Sequence, residues 1–301
     1  MFSARGMKKL FRERGARTGI AFALPGALFL LLFVAYPVVD AIRLSFVEIG
    51  FASGKETFVG LENFRAIFMD AKLAPVLGNT VLWSLGSLAG QFALGLIAAL
   101  CINQNLPGMR LVRSVLLLPY VVPVITLALF WRWMLDGTYG ILSHALQVAG
   151  ALDAGQSPLA SPNGAMASVI IANVWRGFPF VMISYWAALQ SIPAEQYEAA
   201  RVDGASVLQE FRYVTLPNLA EVTRALIVLR VIWTVTYFDL VWLISRGGPA
   251  GATEHWPIWI YQETMGSFRF GYGAALATTL AAGIFLAGLV YFRWARREIA
   301  E

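Results

Sequence analysis

The sequence has little of what soluble enzymes and metal proteins are built from. Only 14% of its 301 residues are charged, against about 25% in soluble domains. A single cysteine, Cys101, excludes an intrachain disulfide, and two distant histidines, His144 and His255, give no basis for a metal site. No Gly-x-x-x-x-Gly-Lys-Ser/Thr segment occurs, so a phosphate-binding P-loop is absent from the sequence. If ATP drives this protein, another subunit must bind it.

Apolar residues are abundant instead. They make up 58% of the chain, its mean hydropathy is +0.64, and it contains ten tryptophans. A membrane-spanning helix needs about 20 largely apolar residues, and six segments qualify: 19–39, 80–102, 112–135, 166–190, 222–245 and 271–293. The net charge of +5 does not indicate nucleic-acid binding, because the basic residues flank these segments. We therefore predict an all-α polytopic membrane protein with about six transmembrane helices.

The distribution of Lys and Arg predicts the orientation. The first segment follows six basic residues, and its apolar run is too long for a signal peptide and lacks a small-x-small cleavage site, so we interpret it as a retained anchor. Placing both termini in the cytoplasm puts most Lys and Arg inside. The expected organisation is a basic cytoplasmic N-terminus (1–18), a transmembrane domain (19–293) with a cytoplasmic loop at 191–221, and a cytoplasmic tail (294–301).

The predicted outer segments differ in character. Residues 40–79 contain Val59–Phe68, which we expect to form a short amphipathic helix at the membrane interface, and residues 136–165 are rich in Gly, Ser, Ala and Pro. In the third segment, 246–270, Gly247-Gly248-Pro249 should end a helix and turn the chain. None of the three is large enough for a separate domain. No internal repeat is visible, which argues against an inverted-repeat transporter.

The inner loop between the fourth and fifth apolar segments is unusually charged. Pro193 should start a helix that Gly204 stops, because glycine readily takes a positive φ. A second short helix should run from Ser206 to a break at Leu216-Pro217. We expect its apolar side chains to face the protein itself and its acidic rim to face outward; these side chains are Val207, Leu208 and Phe211. From the residues alone, an ordinary solvated loop is an equally good interpretation.

The spacing within this loop resembles a known motif. Its elements are Glu198-Ala199-Ala200, then Gly204, then Val214, then Leu216-Pro217. This resembles the loop by which the permease subunit of a bacterial ABC importer grips its ATPase, with Val214 where the family usually has Ile. The resemblance implies that the site of ATPase coupling consists of Glu198, Ala199, Ala200, Gly204, Val214, Leu216 and Pro217.

Other stretches resemble the sugar-type branch of these permeases, which includes maltose and glycerol-phosphate importers. They are VGLENF (59–64), LLLPYVVP (116–123), YFDLVWLISRGGPAGAT (237–253) and FGYGAA (270–275). The chain departs from that branch at Ser245-Arg246-Gly247-Gly248-Pro249, where Thr-x-Gly-Gly-Pro is usual.

The resemblance implies partners and a mechanism. A second homologous permease, two copies of an ABC ATPase and an extracytoplasmic solute-binding protein would complete the importer in the bacterial inner membrane. ATP and Mg would bind the ATPase, so this chain would bind no cofactor and have no enzyme activity. ATP binding would switch the helices from inward-facing to outward-facing, and a sugar or oligosaccharide would cross by alternating access.

Polar residues inside the apolar segments are candidates for the substrate pathway, because they are costly there. The fourth segment offers Asn173, Trp175 and Arg176, and the fifth offers Trp233, Thr236, Tyr237 and Asp239. Sugars are bound by aromatic surfaces with hydrogen-bonding groups, and the arginines would also suit an acidic or phosphorylated sugar. A structural ion pair from Asp239 to Arg230 or Arg176 is the alternative. We expect Gln91, after Gly86 and Gly90, to join helices.

Two rival functions remain at the level of sequence. A secondary transporter or facilitator of a small polar solute would work without an ATPase, but it leaves the charged inner loop without a role. An intramembrane enzyme would need paired catalytic groups at one depth. Both histidines fall in predicted outer loops and Asp239 is the one clear acid within a span, so this interpretation is disfavoured.

Overall fold

The structure is a computed structural model that describes residues 14–50, 54–104 and 106–300, with side chains from 18 to 293 in those ranges. Four basic residues of the predicted N-terminal segment, Arg5, Lys8, Lys9 and Arg12, lie outside the described residues. Two compact units are present: Met1–Met69 with Gln262–Gly283, and Asp70–Tyr261 with Ile284–Glu301.

The described residues are mostly helical, which confirms the all-α class. The first unit contains α1 (Arg14–Leu30), a π-turn (Leu31–Ala35), α2 (Tyr36–Leu44), strands β1 (Val47–Ile49) and β2 (Glu56–Phe58), α3 (Glu62–Met69), a second π-turn (Gln262–Gly266) and the start of α14 (Phe270–Ala300). The second unit contains α4 (Leu73–Ile102), α5 (Met109–Val121), α6 (Val124–Met134), α7 (Ile141–Val148), a 3₁₀ turn (Pro158–Ala160), α8 (Pro162–Gln190), α9 (Ala194–Val202), α10 (Val207–Glu210), a π-turn (Phe211–Thr215), α11 (Leu216–Val235), α12 (Asp239–Ser245), α13 (Trp256–Tyr261) and the remainder of α14.

Among the described residues, four helices are long and apolar enough to cross a membrane, and two bent helix pairs bring the number to six if each pair is one span. The four continuous helices are Thr18–Leu44, Leu73–Ile102, Pro162–Gln190 and Phe270–Arg293. The predicted third span, 112–135, corresponds to α5 and α6, which meet at 96°. Pro123 explains this bend, since a proline disfavours helical backbone in the residue before it, and Val122 is extended.

Small residues bring α4 and α8 into close contact. A side chain added at Gly86 would press on Ile170, and one at Gly90 would collide with Val174. Gln91, fully buried, donates from its Nε2 to the backbone carbonyl of Asn173 at 3.0 Å. The structure thus confirms that Gln91 joins helices beside a pair of closely packed glycines.

Two hydrophobic clusters are built on α8 and stabilise the second unit. One includes Val169 and Ala172 with Leu240 of α12, and the other includes Phe178 and Val181 with Leu226 of α11. In α8, residues 173–177 separate the residues of one cluster from those of the other, and residues 230–238 do the same in and after α11. Both stretches contain polar side chains. Polar side chains are therefore concentrated between two apolar zones.

The predicted outer segments contain more regular structure than their composition indicated. Val59–Phe68 does include a helix, α3, as predicted; its place at a membrane interface stays a prediction. The antiparallel hairpin β1–β2, with Val47 opposite Phe58, was not predicted. Helices α7 and α13 were missed as well, because each is shorter than the window that hydrophobic periodicity needs. The turn at Gly247 is confirmed, since α12 ends there with Arg246 and Gly247 at φ 53° and 88°.

Candidate functional site

A cavity of about 510 Å³ lies where α8 meets the end of α11. It is lined by Tyr120, Asn173, Arg176, Arg230, Trp233, Thr234, Thr236 and Tyr237. This volume falls in the range of about 300–1,000 Å³ that is usual for small-molecule sites. Aromatic rings and hydrogen-bonding groups share its wall.

The cavity forms where the fifth span is broken. Helix α11 ends at Val235, and α12 begins at Asp239 after a bend of 43°. A break frees backbone carbonyls, which must find other donors in an apolar environment. Trp83 Nε1 donates to the carbonyl of Thr234, and His255 Nε2 is bonded to the carbonyl of Tyr237, both at 2.9 Å. Residues outside the span thus brace the break.

His255 braces the break by donating a hydrogen bond. A carbonyl only accepts hydrogen bonds, so Nε2 carries a proton. Burial lowers the pKa of His255 to about 4, although its backbone partners act in the opposite direction. The imidazole is therefore uncharged at neutral pH, and its ring lies 5.6 Å from that of Trp83.

Two arginines face the cavity in different ways. Arg230 is only 4% exposed and donates from Nε to Gln91 Oε1 at 3.0 Å, with a second bond from Nη2 to the same oxygen. Arg176 lies over the ring of Tyr237, with 5.1 Å from its Cζ to the ring centroid. Its Nε is buried, and no described residue accepts a hydrogen bond from it. None of the lining residues is an acid.

Asp239 does not pair with either arginine. It is exposed at the first residue of α12, and no described residue forms an ion pair with it. Of the two alternatives for Asp239, the structural ion pair with Arg230 or Arg176 is therefore wrong. The bend at 236–238 reorients the helix that begins with Asp239, and Arg230 bonds the neutral Gln91 instead.

The structure brings together five of the seven predicted pathway residues. Asn173, Arg176, Trp233, Thr236 and Tyr237 line the cavity. Trp175 packs on the hydrophobic clusters, with its ring 6.0 Å from that of Trp131, and Asp239 is outside the cavity lining. Three further lining residues, Tyr120, Arg230 and Thr234, were not predicted. A signal existed for two of them, because Arg230, Trp233, Thr234 and Tyr237 share the 3–4-residue spacing of one helix face.

The second site is the charged loop between α8 and α11, which forms a helix–turn–helix that we call the coupling segment (residues 194–217) after the motif it resembles. Helix α9 ends before Gly204, whose φ of +80° suits glycine. Ser206 and Gln209 form a reciprocal capping box at the start of α10. Arg201 Nε donates to Glu210 Oε1 at 2.9 Å and links the two helices; this bond raises the pKa of Arg201.

Two further bonds hold α9 to the residues that follow α10. The hydroxyls of Tyr197 and Thr215 lie 3.0 Å apart, and Asn218 Nδ2 donates to Gln196 Oε1 at 2.8 Å. Of the predicted coupling residues, Val214 is buried and Ala200 is half-buried. The others are exposed: Glu198, Ala199, Gly204, Leu216 and Pro217.

Two expectations about the coupling segment are corrected. The side chains of Val207 and Leu208 are 83% and 73% exposed and so do not pack on the described part of the chain, while Phe211 is half-buried. No break occurs at Leu216-Pro217, because the helix runs from Val207 to Val235. A π-turn at Phe211–Thr215 precedes Pro217. Such a turn has a different hydrogen-bond pattern from an α-helix and tolerates a proline, which has no backbone N–H to donate.

A comparison with protein families matches residues 91–299 to a family described as the inner membrane component of binding-protein-dependent transport systems. That range covers the cavity helices α8 and α11 and the whole coupling segment. The chain belongs to this family. The permease is thus a transport component, and its membrane helices are those of a multi-pass inner membrane protein.

Individual relatives extend the match to most of the permease. The trehalose/maltose transport system permease protein MalF of Thermococcus litoralis is 33% identical over 80% of this chain and 81% of its own length. The sulfoquinovosyl glycerol transport system permease protein SmoG of Agrobacterium fabrum is 32% identical over 91% and 89%. Both similarities are too long to be confined to residues 91–299, so they extend to residues before 91.

Solved structures agree with the fold. A chain of a bacterial ABC transporter involved in the import of the acidic polysaccharide alginate superposes with a TM-score of 0.83, at 23% identity, over 97% of the permease and 99% of that chain. A second structure, of an alginate ABC transporter with a pentasaccharide-bound periplasmic protein, gives a TM-score of 0.77 at 24% identity over 92% and 93%. These likenesses establish the architecture.

Proposed function

We propose that the permease forms half of the membrane pathway of an ATP-driven carbohydrate importer. A second, homologous permease would complete the pathway, two copies of an ABC ATPase would dock inside, and an extracytoplasmic binding protein would deliver the solute. Both termini would lie in the cytoplasm, because this places most Lys and Arg inside. ATP and Mg would bind the ATPase alone.

The surface of the coupling segment carries this proposal. Four large side chains on a charged loop are exposed: Val202 (87%), Val207 (83%), Leu208 (73%) and Tyr213 (69%). A loop at a membrane surface has no need of such side chains unless a protein covers them. Glu198, Ala199 and Gly204 belong to the same exposed segment, so an ATPase docked there would contact the residues of the family motif.

The last three motif residues have a different role in this proposal. Val214 lies in the π-turn and is buried, so it holds the coupling segment to the membrane helices rather than touching an ATPase. Leu216 and Pro217 start α11, one end of which lines the cavity. A displacement of the docked segment would therefore reach the cavity through one helix, which is what alternating access requires.

The carbohydrate assignment rests on the cavity and the relatives. Carbohydrates combine apolar ring faces with many hydroxyls, and the cavity offers Trp233, Tyr120 and Tyr237 beside Asn173 and two threonines. Two relatives are named for the transport of trehalose/maltose and of sulfoquinovosyl glycerol, and each of these solutes contains a sugar. We extend that solute class to this permease.

The deciding experiment is purification of the permease from its native membrane under mild conditions, with mass spectrometry of everything that remains bound. We expect a P-loop ATPase and a second six-span permease. Proteoliposomes of this complex, supplied with the companion binding protein, should take up solute only when ATP is present on the side of the membrane where the ATPase lies. A permease that purifies alone and transports without ATP would contradict the proposal and favour a secondary transporter.

A further inference from the structure

The donors around the cavity outnumber the acceptors. Four buried polar atoms of its lining have no hydrogen-bond partner among the described residues: Asn173 Nδ2, Arg176 Nε, Thr234 Oγ1 and Tyr237 OH. The first two can only donate, and the two hydroxyls can also donate. Asn173 is just 3% exposed, so its amide nitrogen cannot rely on bulk water. The cavity is thus prepared for a ligand rich in acceptors.

The charge of the cavity narrows the chemistry of that ligand. Arg176 and Arg230 both line it, and among its described lining residues no carboxylate offsets them. Charge within a membrane span is costly unless it is paired. Arg230 is partly compensated by the two bonds to Gln91, whereas the contact that the described residues give Arg176 is the face of the Tyr237 ring, and its Nε has no acceptor among them. Arg176 is therefore the cation left for a ligand.

A neutral sugar does not need this arrangement. Tyrosine, threonine, asparagine and tryptophan suffice to bind hydroxyls and ring faces. A planar guanidinium with a free Nε instead suits an anionic oxygen group, because two N–H donors can meet two oxygens side by side.

We propose that the permease carries an anionic carbohydrate, one bearing a carboxylate, sulfonate or phosphate group, and that Arg176 binds this group in the cavity. The inference rests on the proposed function and makes its substrate class specific. Arg230 and Gln91 position the site, and Asn173, Thr234 and Tyr237 bind the remaining oxygens.

The test uses the purified complex in nanodiscs of phosphatidylcholine, which carries no net charge. Thr236, exposed and part of the lining, is replaced by cysteine after Cys101→Ser removes the chain's one thiol. The permease is labelled with an anionic and, separately, with a cationic methanethiosulfonate reagent. The rate of labelling is measured by intact mass spectrometry. The matched control is Val148→Cys, at a position that is 75% exposed and outside the cavity lining.

We expect the anionic-to-cationic rate ratio at Thr236→Cys to exceed that at the control site by at least about tenfold, since a nearby cation concentrates anions. Adding Arg176→Gln should remove most of the excess, and Arg176→Lys should keep it. Equal ratios at the two sites, or a ratio insensitive to Arg176→Gln, would overturn the proposal. The lysine variant guards against loss of folding as an explanation.

The ligand class is then tested by protection from labelling at constant ionic strength. The probes are methyl glucoside, its 6-carboxylate (methyl glucuronide), its 6-phosphate and its 6-sulfate, with inorganic phosphate and sulfate alongside. We expect the charged sugars to protect at concentrations at least about tenfold lower than methyl glucoside, and Arg176→Gln to abolish the difference. Protection by the neutral sugar at equal concentration, or by the inorganic ions as well as by the charged sugars, would refute the anionic-carbohydrate assignment.

These outcomes are separable from the proposed function. A complex that contains an ATPase and imports solute with ATP, but whose cavity prefers methyl glucoside, would keep the importer and overturn this inference. A permease without a co-purifying ATPase would refute the importer whatever the cavity binds.

Discussion

The coupling segment and the cavity satisfy their polar groups in opposite ways. In the coupling segment, the Arg201 guanidinium pairs with the Glu210 carboxylate, and the side chains of Ser206 and Gln209 each bond the backbone N–H of the other. Large apolar side chains nevertheless remain exposed beside the charged ones, with Leu208 and Val207 the clearest cases. In the cavity, what remains unmatched is polar, with Asn173 Nδ2 and Arg176 Nε lacking partners among the described residues.

This difference indicates what kind of partner each region takes. An apolar surplus on a polar background is covered by a protein, because burial of that surface is favourable by roughly 25 cal/mol per Å². A surplus of donors in a buried site is covered by a solute with acceptors, because each unmatched donor costs about 1–3 kcal/mol. The two regions therefore fit a stable subunit contact and a transient ligand respectively.

The strongest test of the comparison is Leu208→Asp. The side chain is exposed, so the permease should fold and insert normally, but a carboxylate in an apolar contact should weaken ATPase binding by at least about thirtyfold. ATPase retained on affinity-purified permease measures this effect. Val148→Asp is the matched control, as Val148 is 75% exposed on α7. Full ATPase retention by Leu208→Asp would show that the apolar surface is not a docking surface.

The cavity should respond in the opposite sense to Asn173→Leu. Removing a buried donor that has no partner should leave stability unchanged or raise it by about 1 kcal/mol. Import should nevertheless fall about tenfold, because a hydrogen bond to the solute is lost, and the ATPase should stay bound. Thermal unfolding and uptake in proteoliposomes measure the two effects.

The matched change on the same helix is Ser184→Ala, since the Ser184 hydroxyl bonds the carbonyl of Phe180 within α8. Import at the wild-type rate by both variants would place the solute elsewhere. A marked loss of stability in Asn173→Leu would instead assign Asn173 a structural role.

The hydrogen bond from His255 to the carbonyl of Tyr237, beside the cavity, should make the stability of the permease depend on pH. Burial holds the pKa of His255 near 4, below the usual value of about 6.5, so the unfolded chain binds this proton more readily than the folded one. Stability should therefore be complete above about pH 6.5 and fall as the pH drops towards 4, by about 3 kcal/mol at most. His255→Gln keeps a donor for the Tyr237 carbonyl and should lose this dependence.

The measurement is the thermal midpoint of both proteins at pH 7 and pH 5. The carboxylates titrate equally in the wild type and in His255→Gln, so the difference between the two pH profiles isolates His255. Identical pH profiles would mean that His255 is not the group that titrates.

The smallest effect is expected from Arg201→Ala. Arg201 is an exposed partner in its ion pair with Glu210, and exposed pairs contribute little and are screened by salt. Uptake should fall less than about twofold, and Arg201→Lys should restore it. A loss as large as that of Leu208→Asp would show that the ion pair itself is part of the docking contact.

The sequence predicted the coupling segment better than the cavity, and the reason is distance along the chain. The turn at Gly204 and the helix after Pro193 depend on neighbouring residues, so they could be predicted from spacing. The cavity depends on how α5, α8 and α11 are juxtaposed, and for that reason Tyr120 gave no signal. Their functional roles stay predictions in both regions.

The errors share physical causes. An apolar face on a short helix usually packs on its own protein, but a docking surface has the same pattern, and so Val207 and Leu208 were assigned inward. An ion pair from Asp239 to an arginine was one of two alternatives, and nothing in the sequence showed the 43° bend at 236–238 that reorients α12. Hydropathy predicted the third span but not its 96° bend, because hydropathy does not register the extended backbone before Pro123.

The uninterrupted helix from Val207 to Val235 has a mechanical consequence. With a rise of about 1.5 Å per residue, it is a rod roughly 40 Å long. Leu208 stands near one tip and Trp233 near the other, so a tilt of only about 5° around one tip swings the opposite tip by roughly 3–4 Å. That stroke is comparable to the thickness of a sugar ring. In the proposed importer, a tilt of this one helix would open or close the passage without unfolding any of its backbone.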